Sequence, residues 1–253
     1  MRRAALLALA APALLGQAKP RLVPDVSQDR IDIAYSFTGA ELLLFGAIVD
    51  PAGRQIGSAG RTDIAVVVKG PVQSILVREK ARVAGVWVNA DNLPYRSAPS
   101  FYALAASRPI RQLVDPRTRA IYELGLDSLQ LSPASAAAPE VQTRFQRGLV
   151  ALKAKAGLYY ETSQDVAVTD GVLYRARIRI PARVPVGKFT AETFLIRDGR
   201  VVTAKVRDIT IAKSGFERFV ATSAQRDPVP YGLAAVALSV FLGWAAGWVA
   251  RRL

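Results

Sequence analysis

The chain has 253 residues, a formal net charge of +14, and neither cysteine nor histidine. Disulfide frameworks, thiol nucleophiles, thiolate zinc sites, Ser-His-Asp triads and histidine general bases are therefore excluded. A chain of this length is able to bury a core of its own without covalent cross-links.

The first residues are typical of an export signal. Arg2 and Arg3 precede a run of leucines and small residues over 4–16, and Ala18 is a small residue at a cleavage contact. This pattern predicts a secretory signal peptide over 1–18, cut after Ala18. A retained N-terminal anchor is the alternative, which is disfavoured because the apolar run is short for a membrane span.

The other end of the chain carries an apolar stretch that is long enough to cross a bilayer. Residues 230–250 contain no charged side chain, and a helix of this length rises about 30 Å. Arg251 and Arg252 follow, and the positive-inside bias favours a cytoplasmic tail at 251–253. We therefore expect a single-pass protein of the bacterial inner membrane, with residues 19–229 as a periplasmic domain.

The first part of this domain shows the period-two alternation of β-strands, in short runs bounded by turn residues. Strands are predicted at 31–37, 41–49, 63–69, 74–80, 83–89 and 101–105. The run at 41–49 is apolar on both faces, so we expect it to be central in a sheet. The frequent turn signals favour a mainly β fold, an immunoglobulin-like β-sandwich by architecture, although the Cys…Trp…Cys hallmark is absent.

The periodicity changes after Ser107. Helix-start signals at Ser107–Pro109 and Asp115–Pro116, followed by an apolar stripe over 140–156, predict a helical insertion over about 107–158. We expect that stripe to pack on the sandwich, and a partner docked on it is the alternative.

Strand patterning then resumes. Tyr174 and its even-numbered neighbours are predicted to face the core along 172–180. Asp198–Gly199 predicts a two-residue hairpin, and a phase slip predicts a bulge near Arg207–Asp208. One sandwich with an inserted helical hairpin is favoured over two small β domains, because the later strands are too few to close a sandwich alone.

Three internal segments, together with the signal peptide and the single C-terminal span, carry a family resemblance. They are Gly85–Asn89, Ala98–Pro109 and Pro185–Phe189. With these features the chain resembles the alphaproteobacterial transmembrane protein family over nearly all of its mature length. The resemblance implies a periplasmic domain on one span, an association with permeases of the sulfite-exporter type, and no defined catalytic residues.

Two groups of side chains are candidates for interaction. The first is aromatic and polar, and consists of Trp87, Asn89, Tyr95, Arg96 and Tyr102. Rigid aromatic rings beside amide and guanidinium groups are typical of binding surfaces. A core tryptophan beside a polar turn is the alternative interpretation.

The second group is Arg175, Arg177 and Arg179, which share one strand face and could grip carboxylate, phosphate or sulfo-oxyanion groups. The alternative is a solvated face, partly neutralised by Glu192. Nucleic acid is not an expected partner, since no aromatic residues are interleaved with these arginines.

Small residues recur every fourth position in the apolar stretch, at Ala235, Ser239, Gly243 and Gly247. Such a face allows helix backbones to approach closely, which favours a homodimer or docking on a permease helix. A plain anchor is the alternative.

The sequence as a whole favours interaction over catalysis. We expect an accessory subunit of an inner-membrane transporter or envelope complex, with a binder of anionic ligands or polymers as the alternative. A hydrolase is less favoured, because there is no Ser-x-x-Lys motif and no defined carboxylate pair. No catalytic residue, metal ligand or cofactor is predicted.

Overall fold

The computed structural model describes residues 21–27, 30–33, 39–49, 62–213, 220 and 223–251. The predicted signal peptide at 1–18 lies outside the described residues, as does the later part of the predicted strand at 31–37. The strands are β1 (Arg21–Val26), β2 (Arg30–Ile33), β3 (Ala40–Val49), β4 (Thr62–Lys69), β5 (Val72–Val83), β6 (Val86–Pro99), β7 (Tyr102–Ala106), β8 (Ser132–Pro133), β9 (Tyr159–Thr162), β10 (Val166–Thr169), β11 (Leu173–Ile180), β12 (Gly187–Arg197) and β13 (Arg200–Lys213). The helices are α1 (Ile110–Leu113), α2 (Pro116–Tyr122), α3 (Pro139–Lys155) and α4 (Pro228–Ala250), with a 3-10 turn at Leu126–Ser128.

Two sheets form a sandwich, and each sheet contains strands from both halves of the chain. The four-stranded sheet has the order β1-β3-β11-β10, and the six-stranded sheet has the order β2-β13-β12-β4-β7-β9. Neighbouring strands are antiparallel, except that β2 runs parallel to β13 and β7 runs parallel to β9. The helical segment is inserted between β7 and β9.

The main core lies between these two sheets. Leu42, Leu44 and Ile48 of β3 pack there with Tyr174 and Ile178 of β11. Along β11 the burial alternates strictly, with the even-numbered residues buried and the odd-numbered residues exposed. The predicted alternation on this strand is therefore confirmed.

A second core lies on the opposite face of the six-stranded sheet. Ile110 and Leu113 of α1 pack there with Leu104 of β7 and Phe194 of β12. Since helices cover this face and the sandwich core covers the other, β4 and β7 are buried almost throughout. The helix predicted to pack on the sandwich by its apolar stripe is α3, and its Phe145 and Leu149 pack on β5 and β6 instead, while Leu152 is 60% exposed.

The strands β5 and β6 form a long hairpin, which we call the arm (residues 72–99). The half of the arm farther from its turn packs on α3. A third core there contains Val77, Leu93 and Tyr95 of the arm and Phe145 and Leu149 of the helix. The predicted strands at 74–80 and 83–89 were too short. Pro94 lies within β6 and Pro99 at its end, where the partner strand β8 is only two residues long.

The hairpin between β12 and β13 confirms one prediction and corrects another. Asp198 and Gly199 form its turn, with φ of 49° and 78°. The register shifts opposite Val202, and not near Arg207–Asp208 as predicted. The reason is that Val206 is 58% exposed on the outer side, so no slip is needed to bury Ile209.

The chain ends in α4. Residues Pro228–Val249 are long and apolar enough to cross a membrane, with a mean hydropathy of 1.8, and none of this span is buried against the body. It is the one helix of this kind among the described residues. The prediction of a mainly β fold with inserted helices and one C-terminal apolar helix is confirmed.

Candidate interaction surfaces

The structure separates the predicted aromatic and polar cluster into three places. Trp87 and Asn89 lie near the far end of the arm and are exposed. Tyr95 is buried where the arm meets α3, and Arg96 beside it is exposed and donates a hydrogen bond to the Ala134 carbonyl at 3.0 Å. Tyr102 lies in the second core. The five residues therefore do not form one surface.

The two buried tyrosines hold elements together. The hydroxyl of Tyr95 lies 3.5 Å from the carbonyl oxygen of Gln142 on α3. The hydroxyl of Tyr102 donates to the Glu123 carbonyl at 2.7 Å and accepts from the Gly125 N–H at 2.9 Å, which fixes the turn after α2. Burial raises the pKa of both phenols, so neither is poised for proton transfer near neutral pH.

The arm extends beyond its last contact with α3 into solvent. Arg144 of α3 lies 3.1 Å from carboxylate oxygens of both Glu79 and Asp91, one on each strand of the hairpin. Past these ion pairs, every residue from 82 to 90 is exposed. The turn at Ala84 and Gly85 has φ of 48° and 88°. From the ion pairs to this turn the arm reaches about 16 Å further, at about 3.3 Å per residue.

A groove of about 370 Å³ lies between the arm and α3. Its lining includes the apolar residues Val77 and Phe145, Gly148, and the cations Arg78 and Lys155. The groove is open to solvent along its length. It is therefore a seam between two elements, and it does not have the enclosed shape of a catalytic pocket.

The arginines of β11 lie on the outer face of the four-stranded sheet. In register they stand beside β3, with Arg175 opposite Phe45, Arg177 opposite Leu43 and Arg179 opposite Glu41. All three are exposed, so the predicted arginine row is present as a geometric feature. We call the exposed side of β1, β3 and β11 the outer face.

Glu192 does not neutralise this row. It lies in the six-stranded sheet, 3.7 Å from the Lys69 ammonium group. The carboxylate near the arginines belongs to Glu41, which is 3.9 Å from the Arg177 Nε. The prediction was wrong because it placed β12 beside β11, whereas these strands belong to different sheets.

The outer face also carries large apolar side chains that the sequence did not single out. Phe45 is 37% exposed and Leu173 is 56% exposed, and Val23 and Val49 are exposed beside them. β3 is central in its sheet, as predicted, but only one of its two faces is covered. The arginine row of β11 is the sequence signal that could have revealed this patch. Because paired strands share a sheet face, an exposed face on β11 implies an exposed face on its neighbour β3.

The small residues of α4 lie on a helix that the body does not cover. Ala235, Ser239, Gly243 and Gly247 recur along one side, and the Ser239 hydroxyl donates back to the Ala235 carbonyl at 2.8 Å. This internal hydrogen bond satisfies the hydroxyl within the helix, so the face remains smooth.

Titratable groups elsewhere in the described residues form structural ion pairs. Lys69 binds Glu123 at 2.6 Å, beside the second core. Asp63, Ser107 and Arg108 form a network at the beginning of β4. Among the described residues there is no group of three or more acidic side chains arranged to hold a metal ion.

One family model matches the chain, over residues 21–252, and its description is "Putative transmembrane protein (Alph_Pro_TM)". The chain belongs to this family. Membership accords with α4 as a membrane anchor, and it confirms the resemblance drawn from the sequence. The family description names no activity, ligand or partner. No curated protein and no solved structure is detectably similar to the chain.

Proposed function

We propose that the protein is a membrane-anchored interaction module, an accessory subunit of an inner-membrane transporter or envelope complex. The observation that carries this proposal is the open outer face. It combines exposed aromatic and aliphatic side chains with arginines, the residue types that are enriched where protein partners bind.

The arrangement of this face suits a partner with an apolar centre and acidic groups. Leu173 stands at one end of the row that Arg175, Arg177 and Arg179 continue along β11, and Phe45 lies directly beside Arg175 on β3. A partner that covers Phe45 removes apolar area from water, while its carboxylates pair with the guanidinium groups. The apolar side chains and the arginines occupy neighbouring positions, so a single interface can combine apolar burial with charge pairing.

The test is co-purification of the full chain from native membranes in mild detergent. We expect a stoichiometric membrane partner that is lost in Phe45→Asp and in Leu173→Asp. Val206→Asp is the matched control, because Val206 is an apolar side chain on another strand and is about as exposed as Leu173. A wild-type chain that purifies without a partner, or a partner that both outer-face variants retain, would contradict the proposal.

A binder of anionic ligands or polymers is the second candidate, and the arginine row favours it. Among the ion pairs of the described residues, Glu41 supplies the one carboxylate near these three guanidinium groups. Its Oε1 lies 3.9 Å from the Arg177 Nε, which is long for an ion pair. Polyphosphate and sulfate are suitable probes. Salt-sensitive binding that falls in the triple variant Arg175→Gln, Arg177→Gln, Arg179→Gln, and persists in Arg147→Gln, would favour this function over a protein partner.

The proposed orientation places the body in the periplasm and the C-terminus in the cytoplasm. Its support is the signal-like N-terminal segment and the arginine pair that follows the span. A periplasm-dependent reporter fused after residue 229 is expected to be active. A reporter that folds only in the cytoplasm is expected to be active after residue 253, and the reverse pattern would contradict the orientation.

A further inference from the structure

We propose that the tip of the arm, residues 80–90, docks on the surface of the membrane that α4 spans, with its aromatic and aliphatic side chains among the lipid headgroups. This inference goes beyond the proposed function, which rests on a different surface. It is carried by the chemistry of the tip, by the position of the arm's root, and by the tether to the bilayer.

The chemistry of the tip is that of an interfacial segment. Residues paired across a hairpin share a face, so Arg82 lies beside Trp87 on one side and Val83 lies beside Val86 on the other. Trp87 is 65% exposed and Val86 is 64% exposed. Lys80 and Arg82 supply positive charge, and residues 80–90 contain no acidic side chain. Tryptophan favours the interface between headgroups and hydrocarbon, and cations favour anionic lipid.

The root of the arm lies at the edge of the sandwich from which the chain leaves for the membrane. Gly187, the first residue of β12, is in register with Ile211 near the end of β13. A side chain built at Gly187 would begin 3.2 Å from the ring of Pro71, which precedes the arm. The arm and the segment that leads to α4 therefore start at the same end of the six-stranded sheet.

The dimensions allow the tip to reach the bilayer. The segment between β13 and α4 spans 214–227, and because residues 223–226 are helical it extends to at most about 40 Å. The arm itself is about 40 Å from root to turn, at about 3.3 Å per residue. Because α4 holds the body beside the bilayer, the docking step is intramolecular and is favoured by a high effective concentration.

A lipid surface fits the tip better than a protein partner does. The tip consists of eleven residues in total over its two strands and turn, whereas a stable protein interface takes about 20–30 residues from each side. Insertion among headgroups requires no matching shape. It needs only apolar side chains beside cations, as this hairpin presents them.

Fluorescence of Trp87 in the full chain tests the proposal. The chain has three tryptophans, so Trp244→Phe with Trp248→Phe leaves Trp87 as the sole reporter. The protein is placed in nanodiscs of phosphatidylethanolamine and phosphatidylglycerol, where both bilayer faces are accessible. We expect quenching of Trp87 by brominated lipid and protection from acrylamide, compared with the same protein in detergent.

Matched variants separate the contributions. Val86→Asp is expected to abolish quenching by brominated lipid, and Val206→Asp is expected to leave it unchanged. Lys80→Gln with Arg82→Gln is expected to lower the ratio of docked to undocked tip roughly thirty-fold on anionic nanodiscs, since each cation near such a surface contributes about five-fold. An unchanged circular dichroism spectrum shows that the exposed substitutions leave the fold intact.

Two outcomes would overturn the proposal. In one, Trp87 remains open to acrylamide in nanodiscs and is not quenched by brominated lipid, so the tip stays in water. In the other, Trp87 is protected from both quenchers, so the tip is covered by protein. Neither outcome affects co-purification through the outer face, which distinguishes this proposal from the proposed function.

Discussion

Arg108 clamps the carboxylate of Asp63 and thereby joins the end of β7 to the beginning of β4. Its Nε donates to Asp63 Oδ1 at 3.0 Å, and its Nη2 donates to Oδ2. The Ser107 hydroxyl donates to the same carboxylate at 2.7 Å. Asp63 is 5% exposed, so its charge depends on these donors in place of water.

Removing Arg108 is expected to destabilise the body substantially. Arg108→Ala removes both guanidinium hydrogen bonds to this buried carboxylate, and we expect a loss of about 2–3 kcal/mol in the free energy of unfolding. The control is Arg111→Ala, since the pair between Arg111 and Asp127 is largely exposed and its loss should cost less than about 0.5 kcal/mol. Denaturant titration of the full chain in mild detergent measures both, and equal losses would contradict the assignment.

Two glycine substitutions are expected to change stability in opposite directions. A methyl group at Gly46 would collide with the Val23 carbonyl oxygen and lie 2.8 Å from the Tyr174 ring, so Gly46→Ala is expected to cost about 3 kcal/mol. Gly148 lies within α3 with open space around it, so Gly148→Ala is expected to add about 0.5–1 kcal/mol. Thermal unfolding compares the two, and a stabilised Gly46→Ala would contradict the packing of β3 on β11.

The buried tyrosines predict a loss of stability at alkaline pH. Burial raises the pKa of Tyr160 to about 12, and it raises the pKa of Tyr102 and Tyr159 as well. Because the folded pKa exceeds the unfolded value of about 10, the folded state keeps these protons longer. Their contribution is therefore complete below about pH 10 and declines above it, by up to about 1.4 kcal/mol per pH unit for each phenol.

The measurement is denaturant unfolding between pH 8 and pH 11.5, with phenolate absorbance recorded in parallel. Tyr160→Phe is expected to make the alkaline decline shallower, because it removes one of the shifted groups. It also removes the hydroxyl that accepts from the Arg179 N–H at 2.8 Å, so its stability at pH 8 is compared first. A free energy of unfolding that stays constant from pH 9 to pH 11.5 would contradict the prediction.

The small-residue face of α4 predicts association within the membrane. Gly243→Ile with Gly247→Ile places branched side chains where backbones would approach, and we expect weaker self-association or weaker docking on a permease helix. A membrane-helix dimerisation assay measures the self-association. Val236→Ile is the control, as it changes the size of an exposed side chain elsewhere on the helix. An unchanged signal in the glycine variants would indicate a plain anchor.

The elements that were predicted well are those whose local pattern decides their environment. The alternation of Tyr174 and Arg175 along β11 reports which face meets the core, and Asp198–Gly199 carries the residue types that a tight hairpin requires. The family resemblance and the apolar span were likewise carried by contiguous residues.

The features that were missed depend on which strands become neighbours. The turn of the arm contains Ala84 with a positive φ, and alanine at such a position gives no hairpin signal in the sequence. The open face around Phe45 was missed because an apolar strand has the same sequence pattern whether one or both faces are covered. Glu192 was assigned to the arginine row for the same reason, since sheet membership is a property of the tertiary structure.

The strand order has a consequence for the synthesis of the protein. In the four-stranded sheet β11 lies between β3 and β10, and in the six-stranded sheet β12 and β13 lie between β2 and β4. The early strands therefore cannot enclose a core until residue 213 has been made, and non-local pairing of this kind is slow. By then only residues 214–227 separate the nascent body from α4, so the sandwich cannot be complete until synthesis has almost reached the apolar helix.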